Sequence, residues 1–231
     1  MIFISGRARK IITYVLTFIA VPAFIAAGII IFSDRQYIFI SAAIAVCACV
    51  PFFLSFEKGK INTEKLVILA VMVALSVFGR FAFMYIPSFK PVTALVIICG
   101  MYLGAESGFL CGALSAFLSN FIFMQGPWTP FQMFIWGAIG FVAALLAPVL
   151  KKSKPVLIIC GILAGAVYSL FMDIWTVLWW DSSFSIERYC AAIISSLPTL
   201  AVYAVSNVVF LLLLAKPIGE KLERVKTKYG I

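Results

Sequence analysis

The residues best suited to chemistry or recognition lie in a polar and aromatic run in the middle of the sequence. Ser119-Asn120 is followed by Gln125-Gly126-Pro127-Trp128-Thr129-Pro130-Phe131-Gln132-Met133, with Trp136 one turn further on. Amide side chains on a frame stiffened by two prolines can hydrogen-bond a ligand while Trp128 covers an apolar face of it. An interfacial aromatic belt with ordinary capping residues would look similar, and the segment alone leaves both readings open. Further along, Asp173 sits inside an apolar stretch with Trp175, Trp179 and Trp180 close behind it. An ionisable group at such a position is costly, so it faces either a ligand cavity or a partner such as Arg80. Tyr85 and Lys90, in Tyr85-Ile86-Pro87-Ser88-Phe89-Lys90-Pro91, complete a rim. The candidate ligand contacts are therefore Asn120, Gln125, Trp128, Gln132 and Asp173, with Arg80, Tyr85, Lys90 and Trp179 behind them.

Other chemistry is limited by composition. The chain has no histidine, which removes Ser-His-Asp and Cys-His nucleophiles, HExxH zinc sites and histidine-ligated haem. Nine acidic residues, mostly in predicted loops and tails, give little support to paired-carboxylate catalysis or a carboxylate metal site. No Walker A sequence is present, and the six cysteines show no ligand-like CxxC spacing. The residues point to a protein that is not an enzyme and has no cofactor or metal.

The elements that must hold these residues are membrane helices. Of 231 residues 64% are apolar and only 12% charged, more apolar surface than a soluble domain can hide. At about 20 helical residues per crossing, the apolar runs predict spans at 11–32, 36–56, 64–86, 91–104, 106–124, 129–150, 155–179 and 190–215. The N-terminal run is too long for a signal peptide and is expected to remain as the first span. The break at Gly104-Ala105-Glu106 rests on charge. With eight spans and a cytoplasmic N-terminus, fourteen of the 18 basic residues fall inside, whereas fusing 91–124 would place Lys151, Lys152, Lys154 and the lysine-rich tail outside. The net charge of +9 thus reads as topology and headgroup contact, with no nucleic-acid partner. The 91–104 element is short, tilted or partly re-entrant, and supported by its neighbours. Gly100, Gly104, Gly108 and Gly112 recur every fourth residue, as do Gly161 and Gly165, so the helices pack closely. Ala70 and Ala74 make a further small-residue pair on the third span.

From about residue 63 to 215 the sequence resembles the substrate-binding S components of energy-coupling factor (ECF) vitamin transporters. The resemblance is carried by Phe89-Lys90-Pro91, by Gly104-Ala105-Glu106-Ser107-Gly108-Phe109, and by Ser119-Asn120 with Gln125 through Met133 and Trp136-Gly137. The Gln-Gly-Pro-Trp-Thr-Pro segment is similar to a branch associated with cobalamin or related vitamins. The resemblance implies an all-α integral membrane bundle with a six-helix binding core in 61–216; residues 1–60 depart from the family's pattern by adding two helices, and 217–231 read as a basic cytoplasmic tail. The resemblance also implies a high-affinity vitamin-binding subunit in a prokaryotic plasma membrane, with both termini cytoplasmic. That subunit captures its vitamin at the outer face and works with a transmembrane coupling subunit and two ATPase subunits. Ala70 and Ala74 match the small-residue motif with which the family docks on the coupling subunit. The alternatives are an autonomous secondary transporter or channel, which should show internal repeats or a proton-relay series, and a membrane enzyme.

Overall fold

Long apolar stretches have no way to satisfy their backbone in lipid except by forming helix, and helix is what the chain forms. The structure, a computed structural model, describes residues 11, 14–20, 22–23, 63–181 and 184–230. Seven α-helices follow Thr63: α1 (Thr63–Ala82), α2 (Val92–Leu103), α3 (Ala105–Phe123), α4 (Trp128–Leu145), the single turn α5 (Ala147–Leu150), α6 (Lys154–Asp181) and α7 (Ile186–Tyr229). Of these, α1, α3, α4, α6 and α7 are long and apolar enough to cross a membrane. The predicted spans 11–32 and 36–56 lie largely outside the described residues. Within the first, Leu16–Ala20 is a π-helical segment, and the rings of Tyr14 and Phe18 meet Phe141 edge-on at 5.6 and 5.4 Å.

The short helix α2 is the centre of the bundle. It packs against α1, α3, α4 and α7, and every residue but Tyr102 is buried. Twelve residues rise only about 18 Å, too little to cross a hydrocarbon core of about 30 Å. Its neighbours supply the surroundings that lipid would otherwise have to. The helix ends where predicted, at Gly104, whose φ of 97° and ψ of 173° belong to glycine and let α3 begin one residue later.

Close backbone packing joins α3 to α4. A Cβ added at Gly108 would lie 2.5 Å from the Gly140 carbonyl oxygen, so the two backbones touch only because both positions lack side chains. On α1, Leu69, Met72, Val73 and Ser76 face the bundle. Ala70 and Ala74 lie on the exposed face, alongside Val67, Val71 and Phe78.

One element differs in extent from the sequence reading. The last span was expected to stop at 215, but α7 runs on to Tyr229 and ends at Gly230, whose φ is 67°. Its 44 residues make roughly 66 Å of helix, and Pro198 and Pro217 are both accommodated within it. The extension is held by packing: Gly219 lies against the Tyr102 ring, Leu222 is buried, and Glu223 accepts from Lys151 Nζ at 2.7 Å. Lys151 also stands 4.0 Å above the Tyr102 ring. The 217–231 tail is therefore ordered helix over its described residues.

Candidate functional site

At the opposite end of the bundle from Lys151, the helices enclose a chain of polar side chains. Its pivot is Asn120, near the end of α3 and fully buried. Its carbonyl oxygen accepts from Arg80 Nη1 of α1 at 2.7 Å, and its amide nitrogen donates to Thr129 Oγ1 at 2.8 Å and to Gln132 Oε1 at 2.9 Å, both on α4. The same Arg80 nitrogen donates to Ser119 Oγ at 2.5 Å. Gln132 passes the chain on, donating from Nε2 to the Tyr168 hydroxyl of α6 at 3.1 Å. One network thus ties together α1, α3, α4 and α6 in apolar surroundings, where each unpaired group would be expensive.

Local structure explains why these groups meet. Pro127 caps α4 and Pro130 lies in its first turn, where a missing N–H costs nothing, so Thr129 and Gln132 project from a fixed helix start. Gln125 braces the turn before it: its Nε2 donates to the Phe117 carbonyl at 2.8 Å, and its Oε1 accepts from the Thr129 hydroxyl at 3.0 Å. Among the described residues, the non-glycine positions with positive φ are Ser88, at 59°, and Met124, at 69°, one in each of the two loops beside the network.

Aromatic rings wall the polar chain. Trp136 and Tyr168 stack at 5.2 Å with an interplanar angle of 13°, and Tyr203 of α7 meets Tyr168 edge-on at 5.0 Å. Trp136 is fixed by donating Nε1–H to Thr93 Oγ1 at 3.2 Å. The Arg80 guanidinium lies 4.6 Å from the Phe123 ring centre and 5.3 Å from that of Trp136. Lys90, in the α1–α2 loop, approaches Phe123 at 5.8 Å and donates to the carbonyls of Ile86 and Phe83 at 3.2 and 3.4 Å. Burial and the neighbouring Arg80 charge pull the Lys90 ammonium below its ordinary pKa.

Of the residues singled out from the sequence, the structure brings together Arg80, Asn120, Gln125 and Gln132, with Lys90 at their edge. Trp128 and Trp179 belong to a second group: Trp128 meets Trp175 edge-on at 5.8 Å, and Trp175 stacks on Trp179 at 6.0 Å. The pairing of Asp173 with Arg80 is not found. Asp173 accepts from Ser196 of α7 at 2.6 Å, while Arg80 turns to α3. The buried carboxylate thereby joins α6 to α7. Tyr85 is 88% exposed and stands away from the network. Tyr168, Tyr203, Thr93, Phe123 and Ser119 belong to the site and were not among the candidates. Ser119 stood in the quoted motif, whereas Tyr168 and Tyr203 are single hydroxyls in apolar helices whose facing no local pattern gives.

In comparisons with known proteins, no curated protein and no solved structure matched. Residues 60–224 match the family described as "ECF-type riboflavin transporter, S component". That description gives no support to the cobalamin-type branch expected from the Gln125–Phe131 segment. It concerns a transport subunit and not an enzyme. Since the match covers most of its length, including α1 to α6 and α7 as far as residue 224, the chain belongs to the family of ECF transporter S components.

Proposed function

We propose that this membrane-spanning transport subunit captures riboflavin at the Arg80–Asn120–Gln132–Tyr168 network and hands it to an ECF module. The observation that carries the reading is the network itself, a buried run of amide donors and acceptors beside stacked aromatic faces. A flavin ring is flat and apolar on its faces and carries carbonyl and N–H groups along one edge. Asn120 and Gln132 supply complementary donors and acceptors when they exchange the bonds they make to each other, Thr129 and Tyr168 for bonds to the ring, and Trp136 and Tyr168 offer faces of matching polarity. The family description favours riboflavin over cobalamin.

The distribution of basic residues supports placing the Lys151 end, with the α7 extension, in the cytoplasm and the Arg80 end outside. The exposed Ala70–Ala74 face of α1 supports docking on a coupling subunit, with two ATPases supplying the energy. The test is titration of the purified full-length protein with riboflavin, cobalamin and pantothenate, followed by tryptophan fluorescence. Saturable binding of riboflavin alone is the expected result. Saturable cobalamin binding without riboflavin binding would overturn the assignment.

A further inference from the structure

Arg80 is a guanidinium inside a membrane bundle, and no carboxylate pairs with it among the described residues. Its Nη1 is used twice, by Ser119 and Asn120, but its Nη2 and Nε hydrogens have no acceptor among those residues. A neutral hydroxyl and a neutral amide carbonyl solvate the charge without cancelling it, and the Phe123 and Trp136 rings add only their quadrupoles. Lys90 brings a second positive charge to the same Phe123 ring, and among the described residues its acceptors are two backbone carbonyls. Asp173, the carboxylate whose partner the sequence offered as Arg80, accepts instead from Ser196. Two like charges kept close together, each costly to bury and neither neutralised, make a field that favours an anion between them. Arg80 keeps a planar fork of donors free for it, the geometry that suits an oxyanion such as a phosphate monoester.

We propose that Arg80 and Lys90 form an oxyanion subsite at the edge of the network, so that this chain takes a flavin carrying a phosphate monoester in preference to uncharged riboflavin. The inference rests on the flavin reading of the site and adds a preference that the reading does not contain. The phosphate replaces the missing counter-ion: the free Arg80 donors bind it directly, and the Lys90 ammonium turns from backbone carbonyls toward it.

The experiment compares riboflavin with riboflavin 5′-phosphate on the full-length protein in lipid nanodiscs, at low and high salt. The phosphate ester is expected to bind at least about tenfold more tightly, as a charge-assisted bidentate contact allows, with the advantage shrinking as salt rises. In Lys90→Met the ratio of the two affinities falls severalfold, and in Arg80→Gln it falls to one or below. Because Arg80→Gln also removes bonds to α3, Arg80→Lys is measured beside it; it keeps the charge and retains part of the ratio. Riboflavin binding as tightly as its phosphate ester, or more tightly, overturns the subsite and leaves the flavin reading standing. If neither flavin binds, the flavin reading fails, and the subsite is then judged on inorganic phosphate. A phosphate-dependent rise in thermal stability that Lys90→Met removes supports the subsite, and no rise overturns it.

Discussion

Replacing Asn120 with alanine removes the pivot of the network, and the size of the effect follows from its partners. The change deletes one bond from a charged donor, Arg80, and two neutral bonds to Thr129 and Gln132, all three between helices. Neutral interhelical bonds in lipid average about 0.6 kcal/mol and reach about 1.7, because the separated helices find other partners. A bond to a charged group is worth about 1.5–3 kcal/mol. Asn120→Ala is therefore expected to lose about 3–6 kcal/mol of stability, since the pivot is fully buried and no solvent can replace it. Unfolding by a denaturing detergent, followed by far-UV circular dichroism, measures the change. The effect should be strongly non-additive with Arg80→Gln, because both variants break the same bond. A loss below about 1 kcal/mol, or simple additivity of the two variants, would refute a cooperative network and reduce these contacts to incidental packing.

Other expectations follow from single contacts. Gly108→Ala places a methyl group 2.5 Å from the Gly140 carbonyl and must force α3 from α4, so flavin affinity and thermal stability should fall together. Leucine at both Ala70 and Ala74 adds bulk on an exposed face, so ligand binding by the isolated subunit should persist while co-purification with a coupling subunit is lost. Loss of binding instead would assign the pair to the bundle interior. Glu223→Gln removes a surface ion pair whose side chains are 30% and 50% exposed, so the expected cost is within about 1 kcal/mol and disappears at high salt.

Most of the helical layout was legible in the sequence because lipid imposes a single length rule and charge imposes a second. The break at Gly104 is a case in point: apolar periodicity alone runs through it, and only the position of the Lys151 cluster required two helices. The extent of α7 was not legible. Pro217 and the lysines after it read as a stop, but Gly219, Leu222 and Glu223 find partners on α2 and beside α5, and those contacts outweigh the local signal. Within the site, the segment Ser119 to Gln132 announced itself by its polarity among apolar neighbours. Its partner across the bundle did not. Asp173 is the acidic residue that lies deep in a predicted span, and charge matching favours pairing it with Arg80. The fold instead turns Arg80 toward α3 and gives Asp173 a hydroxyl from α7, a choice set by helix rotation rather than by residue type.

The enclosure of α2 bears on how the protein is made. A segment of 12 residues cannot bridge the bilayer unaided, and four other helices share its burial, three of which are synthesised after it. As the chain enters the membrane, α2 has no stable place until α3 and α4 have emerged, so insertion of this region must proceed as a group. The glycines that let α3 and α4 close upon each other thus act during biogenesis as well as in the finished bundle. A variant that delays their association leaves α2 exposed to quality-control proteases, and low yield in the membrane would precede any measurable defect in binding.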